Sequence, residues 1–190
     1  MKPLLVLLFV VIPASTDVVG QRPPNSEELL TEQKKAMNKL NRMNGLWRGT
    51  AWTILRSGKK QTITQTERMG AFLDGTVKVV EGKGFDTDGN VVFNAFAVIS
   101  FDTQKKKYFM RSYAQGQAGD FQITPTDDGY TWEIPAGPVT IRYNAVIKDN
   151  TLTETGDRIM PNGKSIRFFE MRLNRIGDTD WPSGGSLGPK

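Results

Sequence analysis

The chain has 190 residues, with 25 lysines and arginines against 20 aspartates and glutamates, no histidine, no cysteine and a net charge of +5. Without imidazole or thiol there is no disulfide scaffold, no histidine- or thiolate-held metal and no histidine-based triad. The charge is scattered, and its longest basic run, Lys105-Lys106-Lys107, falls between two apolar segments where a hairpin tip belongs, so nucleic acid is not an expected partner.

Met1-Lys2-Pro3, the apolar stretch Leu4 to Ile12 and the small residues from Pro13 to Thr16 predict a signal peptide over residues 1–20. Its apolar core is too short to span a bilayer, so no transmembrane segment is expected. Cleavage after Ala14 or after Gly20 fits equally. The expected location is exported and periplasmic, where a protein without disulfides must rely on an adequate core.

Residues 21–25 read as a linker. A helix follows, with Asn25 or Ser26 as its cap and Glu27 and Glu28 at its positive end. Leu29, Leu30, Ala36, Met37, Leu40 and Met43 form one apolar stripe, and Gly45 is a natural stop. This single amphipathic helix is expected to plug or cover the domain after it.

Beyond Gly45 the apolar period changes to two. Strands are predicted at 46–55, 60–69, 71–81, 91–101, 107–115, 119–125, 129–135, 138–147, 151–159 and 165–176. Turn signals separate them, among them Ser57-Gly58, Gly70, Asp88-Gly89-Asn90, Pro135-Ala136-Gly137-Pro138 and Pro161-Asn162-Gly163. Strands that each turn straight back make an antiparallel up-and-down meander, and a sheet that long closes into a barrel. The domain spans 46–176. Residues 177–190 are expected to form a disordered tail, with Trp181 able to pin it to the surface.

Gly45-Leu46-Trp47-Arg48-Gly49 places a tryptophan at the start of the first strand. Gly70-Ala71-Phe72-Leu73-Asp74-Gly75, Ile99-Ser100-Phe101-Asp102 with Lys107-Tyr108, and the closing Glu170-Met171-Arg172-Leu173-Asn174-Arg175 follow in order. Together they resemble a family of bacterial secreted lipocalin-like (calycin) proteins of unknown function, related in fold to the nitrobindins, over roughly 46–176. The resemblance implies the barrel, with the indole closing its base, and no activity. Nitrobindins hold haem through a histidine, which this chain lacks, and no cofactor or metal is expected.

Alternation puts Arg175 on one face with Phe169, Met171 and Leu173, which suits a structural cation–π contact with Trp47 at the base. Glu170 lies on the opposite face with Arg172 and could pair with it, or with Arg142 or Arg158. Tyr143 shares a core face with Val139, Ile141, Ala145 and Ile147, and strand 107–115 carries Tyr108, Tyr113, Met110 and Arg111. The candidate lumen residues are Trp47, Tyr113, Arg142, Tyr143, Glu170 and Arg172. The leading functional reading is a non-enzymatic binding module for a small apolar or amphipathic ligand. The alternative is an envelope interaction protein with a solid barrel, for which Trp52, on the face opposite Trp47, would be exposed. A third reading is an isomerase- or lyase-type enzyme with Glu170 as base. Oligomeric state is not legible.

Overall fold

The computed structural model describes residues 26–181, which form one helical segment followed by a closed barrel of ten antiparallel strands. The strands are β1 (Gly45–Ile54), β2 (Lys60–Phe72), β3 (Val77–Phe85), β4 (Val91–Asp102), β5 (Lys107–Ala114), β6 (Gln117–Pro125), β7 (Gly129–Ala136), β8 (Val139–Lys148), β9 (Thr151–Ile159) and β10 (Ser165–Gly177). Each pairs with the next, and β10 returns to β1. Closure gives every strand a neighbour on both sides, although β6 and β7 pair only over Ile123–Pro125 and Tyr130–Trp132. The expected signal peptide, the linker at 21–25 and residues 182–190 lie outside the described residues.

The predicted turn at Gly70 moves. β2 continues to Phe72, and the chain reverses at Leu73–Gly75, where Leu73 and Asp74 take φ of 47° and 55°. Gly70 is instead a point of close approach, since a Cβ there would lie 3.0 Å from the Trp181 Cβ. The expected disorder from Gly177 is likewise corrected as far as Trp181. That indole stands edge-on to Phe72 at 5.7 Å and lies 4.7 Å from the Arg68 guanidinium, which pairs with Asp180.

The helix α1 (Ser26–Met37) tightens into a 3₁₀ segment, Asn38–Met43. Only the later part of the predicted stripe is buried: Ala36, Met37, Leu40 and Met43 join the core, while Leu29 and Leu30 stay largely in solvent. The segment covers the end of the barrel where β1 begins. There the Trp47 indole N–H donates to the Met43 carbonyl at 2.9 Å, the Tyr108 hydroxyl donates to the Ala36 carbonyl at 2.9 Å, and Gln33 donates to the Phe101 carbonyl at 3.0 Å. Lys78, buried on β3, donates to the Asn44 side-chain oxygen. Gly45 takes φ of 142°, and a Cβ would meet the Arg175 side chain at 2.9 Å, so the passage from helix to β1 requires glycine. Among the described residues the hairpins at the opposite end have no such cover, and the cavity opens there.

Candidate functional site

The barrel interior is not filled. A cavity of about 610 Å³ runs from Met43 at the covered end to Leu55, Val92 and Gln115 at the open rim. Small and aliphatic side chains, among them Ala51, Ile63, Val80, Ala97 and Ile99, line part of its wall. An aromatic wall adds Phe121, Trp132, Tyr143, Phe168 and Phe169. Trp132 and Tyr143, directly paired across β7 and β8, stack with centroids 4.2 Å apart and planes 8° from parallel. Phe121 packs on Trp132 at 5.3 Å and Phe169 stands edge-on to Tyr143 at 5.9 Å. Two successive phenylalanines reach the lumen because β10 breaks register between Arg167 and Phe169, and such a bulge interrupts the strict alternation of faces. Gly156 makes room for the stack, since a Cβ there would lie 3.0 Å from the Tyr143 ring.

Two carboxyls interrupt this apolar lining. Glu67, on β2 opposite Trp47, and Glu154, on β9 opposite Met171 and Ala145, both face the cavity. Gln65 Nε2 donates to Glu67 Oε1 at 2.7 Å, and the Trp132 indole N–H donates to Glu154 Oε1 at 3.0 Å. Gly82 accommodates Glu67, because a Cβ there would lie 2.7 Å from its Oε1. Each glutamate keeps some surface toward the cavity yet is surrounded by protein. Burial raises Glu67 from its ordinary 4.5 to about 8; the Gln65 hydrogen bond opposes the rise, and the charges of Glu154 and Glu81 add to it. Burial raises Glu154 to about 7 against the opposing Trp132 N–H. Among the described residues no lysine or arginine forms an ion pair with either. Burial, then the charge of Glu154, pushes Tyr143 up to about 12, and burial with both glutamates holds Tyr130 well above its usual range. The arrangement is therefore an apolar pocket holding carboxyls that exchange protons near neutrality.

The predicted site residues divide between the two faces of the wall. Tyr143 lines the cavity, and Trp47 is buried at the covered end with the Arg175 guanidinium 5.9 Å from its ring. Glu170, Arg172, Arg142 and Tyr113 are not in the lumen. Arg172 is exposed, Glu170 lies 3.6 Å from the exposed Arg167, Arg142 pairs with Glu133 at 2.6 Å on the outer surface, and Tyr113 is 48% exposed beside Arg111. The physical reason is the same on each strand. Burial of Met171 and Leu173 on β10, of Ala145 and Ile147 on β8, and of Tyr108 and Met110 on β5 fixes the inner set, and the alternate residues must point outward. Trp52 lies at the rim with the Lys60 ammonium 4.1 Å over its ring. Its indole is thus partly covered.

This placement carries a prediction. Glu170→Gln removes only a half-exposed, loosely paired carboxylate, so the melting midpoint should change by less than about 0.5 kcal/mol equivalent, as for surface pairs generally. A loss of several kcal/mol in urea titration would put Glu170 in a buried pair instead.

Neither protein-family models nor curated proteins match this chain. Among the described residues no helix is long and apolar enough to cross a membrane, and no group of three or more histidine, cysteine, aspartate or glutamate side chains is placed to hold a metal ion.

Proposed function

We propose that the protein is a binding module that takes a small, largely apolar molecule into the open end of its barrel. The single observation that carries this reading is the cavity itself: about 610 Å³ of unfilled space with an aromatic wall and a few convergent polar groups. About eight strands make an interior just wide enough for side chains to fill, and the lumen widens with strand number; the ten strands here enclose space that the small lining residues do not close, which forgoes dispersion contacts. A space lined by apolar surface with a small polar end suits an amphipathic guest that inserts its apolar body and leads with its polar group. Export to the periplasm and kinship with the secreted lipocalin-like proteins belong to the same proposal, supported by the leader-like amino-terminal sequence and by the closed antiparallel barrel.

The test uses the neutral fluorophore N-phenyl-1-naphthylamine, whose emission rises in apolar surroundings. Titration into the protein should give saturable enhancement. Ala95→Trp, which projects an indole into the lumen from β4, should abolish it while the far-ultraviolet circular dichroism stays that of the parent. No enhancement with the parent, or equal enhancement with the folded variant, would count against a lumen site.

A second reading has one footing. Carboxyls with values of about 7 and 8 in one pocket suit general acid–base work on a bound molecule. Glu170, facing solvent, has no part in it. Recovery of a bound molecule with altered bonding after incubation would favour the enzyme over the carrier.

A further inference from the structure

The cavity's polar end has a composition that selects among guests. Glu67 and Glu154 each spend one oxygen on an internal donor, Gln65 or Trp132, and each has a second oxygen without a protein donor among the described residues. Tyr130 is the third group. It is only 6% exposed, it lines the same cavity, and among the described residues its hydroxyl makes no hydrogen bond. Three acceptor atoms thus converge on a pocket that contains no protein cation to satisfy them. These atoms face the cavity rather than packed protein, because among the described residues the one fully buried side-chain polar atom without a partner is Arg68 Nε, so a guest's donors can reach all three.

Resting on the binding reading above, we propose that the guest is an amphipathic amine, bound as its ammonium between Glu67, Glu154 and Tyr130 with its apolar body against the Trp132–Tyr143 stack. An ammonium carries three N–H donors, one for each acceptor, whereas a hydroxyl brings one and a carboxylate none. Aromatic faces present negative potential, and an organic cation beside them is attracted where a neutral guest is not. An anionic guest would meet like charge and is excluded.

The surrounding charges agree. Glu81 on β3 faces outward and is held by Lys83 at 3.0 Å, adding negative potential at Glu67. Arg158 on β9 is the cation that Tyr143 senses, and it stands toward the open end over the Phe168 ring at 4.5 Å. It marks the rim rather than the base. Because burial keeps the two carboxyls partly protonated near neutrality, seating an ammonium there must drive protons out, which gives a signature independent of affinity.

The experiment is isothermal calorimetry at pH 7 with three probes sharing one apolar body: tryptamine, tryptophol and indole-3-acetate. Tryptamine should bind at least about tenfold more tightly than tryptophol, and indole-3-acetate more weakly than either. Repetition in buffers of different ionisation enthalpy should show net proton release on tryptamine binding and none on tryptophol binding. In the double variant Glu67→Gln, Glu154→Gln, tryptamine should lose its advantage over tryptophol and its proton release. Tryptophol binding as tightly as tryptamine to the parent overturns the amine and leaves the cavity reading standing. An amine preference that survives the double variant overturns the assignment to these carboxyls. Failure of all three probes overturns the amine proposal, and failure of the neutral fluorophore as well removes the binding reading with it.

Discussion

Raising the pH from 5 to 8 should lower the melting temperature of this protein by about 10 °C. The cause is the pair of cavity carboxyls. Glu67 and Glu154 ionise at about 4.5 when freely solvated but at about 8 and about 7 in the fold. Between those limits the folded state holds protons that the unfolded chain has released. Stability therefore falls as pH rises through the window, and the folded state is favoured at its acid end. Each unit of difference is worth about 1.4 kcal/mol, and allowing for mutual coupling and for water in the cavity leaves roughly 4 kcal/mol between pH 5 and 8. Other shifted groups act outside the window. Asp74, Asp86 and Asp102 are lowered by their hydrogen bonds and titrate at more acid pH, Tyr130 and Tyr143 are raised, and Lys78 is lowered by burial only to about 8. Above pH 8 the lysine pulls the other way, because there the unfolded chain holds the extra proton.

Glutamine in place of each glutamate separates this account from a general loss of stability. Glu67→Gln should match the parent at pH 5 and melt higher than it at pH 8, since the amide has no proton to lose. The double glutamine variant should have a nearly flat profile across the window. Differential scanning calorimetry at matched ionic strength reads all three proteins. A parent whose midpoint is level from pH 5 to 8 would mean that the carboxyls are solvated in the fold, and the polar end of the cavity would lose its special character.

The barrel was far more legible than its interior. Strand periodicity and turn chemistry are local, so the positions of nine strands could be read from residues a few places apart, and Ser57-Gly58 or Asn162-Gly163 mark reversals whatever lies beyond them. Gly70 misled because a glycine that permits a turn and one that permits a distant indole to approach look alike in sequence. The face of a strand is a different kind of question. Alternation divides β10 into two sets but does not name the inner one, and both sets carry apolar groups: Phe169, Met171 and Leu173 in one, Ile166 and Phe168 in the other. The contact between Arg175 and Trp47 settles the matter only if it is applied to the whole strand, which places Glu170 and Arg172 outside.

Glu67 and Glu154 were missed for a related reason. On β2 the inner set Gln61, Ile63, Gln65, Glu67 and Met69 has three polar residues of five, so its contrast with the outer threonines and Arg68 is weak. The signal that existed was the glycines. Gly82 and Gly156, each inside a strand where glycine weakens the ladder, mark points where a neighbouring side chain needs space, and their neighbours are Glu67 and Tyr143. Which neighbour each one serves depends on register across β2 and β3 or β8 and β9, which a single sequence does not reveal.

Trp47→Ala should cost about 4 kcal/mol, the middle of the range for deleting a buried aromatic side chain. Trp47 is 1% exposed and closes the covered end of the barrel, with its ring packed in the core cluster that includes Met43, Leu40 and Leu173. Removing it opens a void next to the 3₁₀ segment and strips the Met43 carbonyl of its 2.9 Å donor. Arg175 keeps its 2.6 Å contact with Asp178, so no unpaired charge is added to the loss. Trp47→Phe divides the effect: it retains most of the packing but not the N–H, and should cost about 1–2 kcal/mol. Urea titration followed by circular dichroism measures both. Because the indole ties the helical segment to the barrel, Trp47→Ala should also make the chain around Asn38–Met43 open to limited proteolysis at denaturant concentrations where the parent resists. If the alanine variant lost less than about 1 kcal/mol, the end of the barrel would have to be held by the remaining contacts of Tyr108 and Gln33 with α1, and Trp47 would be filler rather than the closing group.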